Sequence, residues 1–101
     1  MIIYNVTIKV EKDIAEEWLK WMKQEHIPDL MKTGLFVDSR LCRLLEHDEE
    51  DSKTYIAQYF LDSMEDYNAY ISEHSNKMRE KGIKRFGGKF IAFRTIMAVE
   101  S

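Results

Sequence analysis

Residues 1–10 put Ile2, Tyr4, Val6, Ile8 and Val10 on one side of an extended chain and Ile3, Asn5, Thr7 and Lys9 on the other. That two-residue period predicts a half-buried strand. Phe90–Val99 alternates in the same way. Leu35–Glu46 and Thr54–Leu61 are rich in β-branched and aromatic residues and flank the polar run 47–52, which predicts a hairpin loop containing His47. Asp13 followed by Glu16 predicts a capping box and a helix from near Ile14 to about His26. Pro28 disfavours helical geometry at Ile27, so a short second turn over Pro28–Lys32 is expected to end at Gly34. Ser63 predicts the cap of a second helix reaching about Lys81 before Gly82, with Asp66 suiting its first turn.

The order β-α-β-β-α-β fits an α+β, ferredoxin-like domain with an antiparallel sheet and both helices on one face. With 101 residues the chain holds one domain, 1–101, which excludes a two-domain enzyme. Neither sheet face is polar: the last strand offers Ile91, Phe93, Met97 and Val99 on one side and Phe90, Ala92 and Ile96 on the other. Leaving such a face wet would expose more apolar surface than a monomer tolerates, so a homodimer with sheet against sheet is expected, burying more than about 1,200 Å².

Charge and sulfur narrow the partners. A formal net charge of −3 gathers neither nucleic acid nor anionic lipid, so no nucleic-acid or membrane partner is expected. One cysteine, Cys42, cannot make an internal disulfide, and the start of the chain lacks the pattern of a signal peptide, so a cytoplasmic setting is expected. The histidines His26, His47 and His74 and Cys42 lack metal spacing, and the acidic loop lacks calcium-loop ligands, so no metal site is expected.

Candidate pocket residues come from the faces of the helices. At about 100° per residue, Ile14, Ala15, Trp18, Leu19, Trp21 and Met22 share one arc, and Glu25 and His26 fall inside it. They form either an acid/base pair at a pocket mouth or two side chains that escape to solvent, the second being favoured. On the second helix Tyr67, Tyr70, Ile71 and Met78 surround His74, which is therefore expected to face the sheet, shielded from water. It serves there as a proton donor, haem ligand or substrate contact, or more ordinarily as a core histidine held by a tyrosine hydroxyl. Asn5, among apolar neighbours, needs partners from a ligand or from the protein. Arg40, Arg43 and Arg94 lie in strands and either reach an anionic ligand or pair with Asp38 or Glu46. Residues 77–94 carry seven Lys or Arg against one Glu, which attracts an anion or is a solvated helix end.

Met1–Thr7, Trp18–Met22, Glu25-His26-Ile27-Pro28, Ser63–Tyr67 and Phe93-Arg94-Thr95 together resemble the domain of unknown function 4286 family of small bacterial proteins, over nearly the whole chain. More distantly the chain resembles the dimeric α+β barrel superfamily, which includes cofactor-free monooxygenases, haem-degrading enzymes and isomerases. The resemblance implies a pocket between helices and sheet in each subunit. The haem-degrading branch uses an Asn on the first strand, a Trp near the second helix and a His on it. Asn5 and His74 match in type and placement, whereas Met64 stands where the Trp is expected.

The leading expectation is thus a homodimer that binds a small, partly apolar molecule between helices and sheet. The pocket candidates are Asn5, Trp18, Glu25, His26, Tyr67, His74 and Arg94, with no cofactor or catalytic residue identified. A cofactor-free monooxygenase or haem-degrading enzyme is the alternative, and a purely structural dimer is a further one. A nucleic-acid-binding domain ranks last, because the third strand has tyrosines but lacks the glycines of that motif.

Overall fold

The computed structural model describes residues 1–46 and 48–101. Its four strands, β1 (Ile2–Glu11), β2 (Asp38–Arg43), β3 (Ser52–Leu61) and β4 (Phe90–Ala98), form one sheet in the order β2-β3-β1-β4. All neighbours are antiparallel, which gives the ferredoxin-like α+β arrangement. The first strand lies inside the sheet because β4 returns beside it after the second crossover, pairing Val6 with Arg94 on one side while β3 pairs Ala57 with Val6 on the other. The polar loop between β2 and β3 includes His47, which lies outside the described residues.

The helices lie on the face formed by Tyr4, Val6, Ile8 and Val10, all four of them buried. The first helical segment comprises α1 (Ala15–Trp21), a π-helical turn (Met22–His26) and α2 (Ile27–Lys32). It departs from the sequence reading in two ways. Asp13 does not cap it: the carboxylate instead meets Lys89 at 2.7 Å, and the opening N–H groups of Ile14 and Ala15 bond back to the Glu11 and Lys12 carbonyls. Nor does Pro28 break it, since Ile27 is helical at φ −61°, ψ −47°. The wider π turn admits one more residue and displaces the carbonyl that a proline ring would otherwise strike.

The second helical region also differs from expectation. Ser63 caps α3 (Met64–Glu73) as expected, its Oγ accepting from the Asp66 N–H at 3.3 Å. The helix then breaks at His74 (φ −127°, ψ −31°) before α4 (Ser75–Phe86). Ser75 explains the break, because its Oγ donates to the Ile71 carbonyl at 2.7 Å and takes the acceptor that its own N–H would use in an unbroken helix. Gly82 does not stop α4. The helix runs on to Gly87, whose φ of +62° suits glycine.

Trp18, Leu30, Tyr59, Leu61 and Val10 are the most deeply buried large side chains. The buried Tyr4 ring lies 5.6 Å from those of both Tyr67 and Tyr70 and 5.9 Å from that of Tyr59.

The other sheet face points away from the helices. Cross-strand register sorts it into rows, with Phe60, Ile3 and Met97 in one and Ile56, Thr7 and Phe93 in another. Between them runs a polar row of Arg40, Gln58, Asn5 and Thr95. Phe93 and Ile91 are 65% and 56% exposed.

Candidate functional site

Between the helices and the sheet lies a cavity of about 260 Å³. Small residues create it: Ala57 and Ala92 on the sheet and Gly82 in α4 withhold the side chains that would fill the space. A Cβ at Gly82 would sit 3.5 Å from the rings of Trp21 and Phe90, an ordinary contact. The remaining walls are mostly apolar, Trp18, Met22 and Leu30 among them, and the polar exceptions are few.

His26 is the first exception. The π turn ends at this residue, and its imidazole stacks on Trp21 with centroids 4.7 Å apart and planes 24° from parallel. Its Nδ1 is buried without a hydrogen-bond partner. Burial holds the imidazole down to about 4, with Arg94 and Lys81 pushing the same way and Asp29 opposing them. At neutral pH the ring is therefore uncharged, and Nδ1 accepts or donates according to tautomer.

Arg94 is the second. Its place on β4 beside Val6 puts it on the helix-covered face, and its Nε donates to the Tyr4 hydroxyl at 3.1 Å. Arg79 of α4 reaches the same cavity. Tyr59 and Tyr70 also line it. Burial pushes both phenols well above their ordinary range, so they remain protonated hydrogen-bonding groups.

The seven residues singled out from the sequence fall into different places. Trp18, His26 and Arg94 line the cavity. Glu25 does not. It is exposed in an outer cleft beside Asp29, Lys81 and Lys84, because the extra residue of the π turn shifts the helical phase that a 100° wheel assumes. Asn5 is on the far side of the sheet, bonded to Gln58 at 3.2 Å. Tyr67 packs against Tyr4 and His74 stacks over Tyr70 at 6.2 Å, and neither lines the cavity. His74 is half-buried at the α3–α4 break and not enclosed, since the break removes it from the continuous stripe on which that expectation rested. Arg43 pairs with Asp48, not with Asp38 or Glu46.

Residues missed by the sequence reading are Arg79 and the space-making trio Ala57, Ala92 and Gly82. Alternation places both alanines on the apolar faces of their strands, and Arg79 precedes Gly82 by a single helical turn, so the signal existed as a gap in side-chain volume. Among the described residues, no group of three or more His, Cys, Asp or Glu could hold a metal ion, and no helix is long and apolar enough to cross a membrane.

Comparison with solved structures places the fold among small dimeric and enzymatic proteins. A dimeric ferredoxin-like protein from an uncultured marine organism superposes with a TM-score of 0.76 at 8% identity, covering 99% of this chain and 96% of that one. An MhuD mutant with two manganese protoporphyrin IX molecules bound per active site gives 0.72 at 15% identity, covering 100% and 96%. A Bacillus cereus protein described as an antibiotic biosynthesis monooxygenase gives 0.69 at 13%, covering 99% and 93%. At these identities the likeness is one of fold. A comparison with curated proteins returned no match. The model of one family does match, over residues 1–100: the chain belongs to the domain of unknown function family DUF4286.

Proposed function

We propose that the protein is a homodimeric binding protein that holds a small, partly apolar molecule in the cavity between its helices and sheet. The observation that carries this reading is the cavity itself, about 260 Å³ of mostly apolar space with a few polar side chains, His26, Arg79 and Arg94 among them, in its lining. The second copy would cover the open face, where Phe93, Ile91 and Met97 otherwise meet water. Two of the similar solved structures are described as dimeric, which supports the same arrangement.

The enzyme reading draws support from the similar proteins described as oxygenases. Its haem-cleaving form draws less, because it would need Asn5 and His74 at one site and here the sheet separates them. A cavity of about 150 Å³ holds benzene, so 260 Å³ suits one or two rings.

Native mass spectrometry of protein purified from cells tests both parts of the proposal. The expected result is twice the 12.1 kDa chain mass plus a retained small molecule. An Ala92→Phe variant should keep the dimer and lose the added mass. A monomer at high concentration would remove the dimer, and added mass unchanged in the variant would remove the cavity as its site.

A further inference from the structure

Building on that reading, we infer that the cavity takes an anion, specifically a planar aromatic carboxylate of one or two rings. The argument begins with charge. The basic stretch over residues 77–94 divides by what its members meet. Lys81 pairs with Asp29 at 3.3 Å, Arg85 with Glu17 at 3.0 Å and Lys89 with Asp13 at 2.7 Å. Arg79 and Arg94 line the cavity instead, and among the described residues neither forms an ion pair.

Among the described residues, no carboxylate lines the cavity to balance them. With His26 neutral, two partly solvent-exposed arginines line a mostly apolar space, and that imbalance favours a negatively charged guest. Arg94 is already oriented: Tyr4 engages its Nε, which leaves the two terminal nitrogens to grip a carboxylate through parallel bonds.

The walls supply the rest of the class. The stacked Trp21 and His26 rings offer flat surface, and Trp18 adds another aromatic wall. A sugar or polyol would leave most of its hydroxyls unpaired here, whereas an aromatic ring needs no partners.

Calorimetry at pH 7.5 on extensively dialysed protein tests the inference with three probes of matched size: 6-hydroxy-2-naphthoate, neutral 2-naphthol and cationic 2-naphthylmethylamine. The hydroxynaphthoate should bind at least about tenfold more tightly than the naphthol, and the amine should bind most weakly. Arg79→Gln and Arg94→Gln should each weaken the naphthoate about tenfold while leaving the naphthol within about twofold. Both arginines are exposed, so these variants should fold, and Arg94→Lys should restore only part of the loss. Equal binding of naphthoate and naphthol, with the arginine variants silent, would overturn the anion inference and leave the cavity reading standing. Failure of all three probes would overturn both.

Discussion

Acid should unfold this protein through His26, by an amount that the structure sets. The imidazole is held at about 4 in the folded chain, chiefly by burial, against an ordinary value of 6.5. A depressed histidine means that the unfolded chain binds the proton first. Stability is therefore complete above pH 6.5, falls as pH drops through the window between 6.5 and 4, and stops falling on this account below 4. A gap of about 2.5 in pKa at about 1.36 kcal/mol each amounts to roughly 3 kcal/mol. Against a total of about 5–15 kcal/mol for a small domain, this is a large share. Asp13 titrates below that window, because the hydrogen bond from Lys89 holds its carboxyl under its usual range. The assay should still subtract every group but the imidazole. Urea unfolding of the wild type and of His26→Leu, at one fixed protein concentration and at steps from pH 8 to pH 4, gives a difference curve that isolates the imidazole. That curve should fall by about 3 kcal/mol on acidification. A difference that stays flat across the window would refute the argument that burial keeps His26 neutral.

Further outcomes follow from other elements. Gly82→Ala should stabilise the protein by up to about 1 kcal/mol in thermal or urea unfolding, because the added Cβ meets Trp21 and Phe90 only at ordinary contact distance and alanine is the better helix former. Ser63→Ala should cost about 1 kcal/mol in the same measurement through loss of the α3 cap. Phe93→Glu should turn a dimer into a monomer by light scattering, since a two-fold axis doubles the effect of every substitution. A variant that remains dimeric would place the interface elsewhere. Haemin titration should give no tight, specific Soret change, because the sheet separates Asn5 from His74.

The sheet was legible in the sequence because alternation has one period and the first strand states it without interruption. Tyr4, Val6, Ile8 and Val10 are buried on the side that the pattern assigns them. The helices were legible only where they obey a single period as well. Glu25 takes the solvent-facing place that was the favoured alternative, although a 100° wheel sets it inside the apolar arc, because a π turn changes the angle per residue and nothing in Met22–His26 announces that turn. His74 was misplaced because Ser75 diverts a backbone acceptor, an event decided by one hydroxyl. The expected capping box failed for a tertiary reason: Lys89, 76 residues away, claims the Asp13 carboxylate. The cavity was hardest to see, since it is defined by what Ala57, Ala92 and Gly82 lack and depends on three elements meeting.

The extra residue in the Met22–His26 turn lets the first helical segment absorb a change of length. Five residues at the wider pitch sweep about the same angle as four at ordinary helical pitch, so removing exposed Lys23 or Gln24 would leave Leu30, now 1% exposed, facing the core. A residue gained or lost there is thus taken up as a bulge in the backbone, and the facing of everything beyond it is kept.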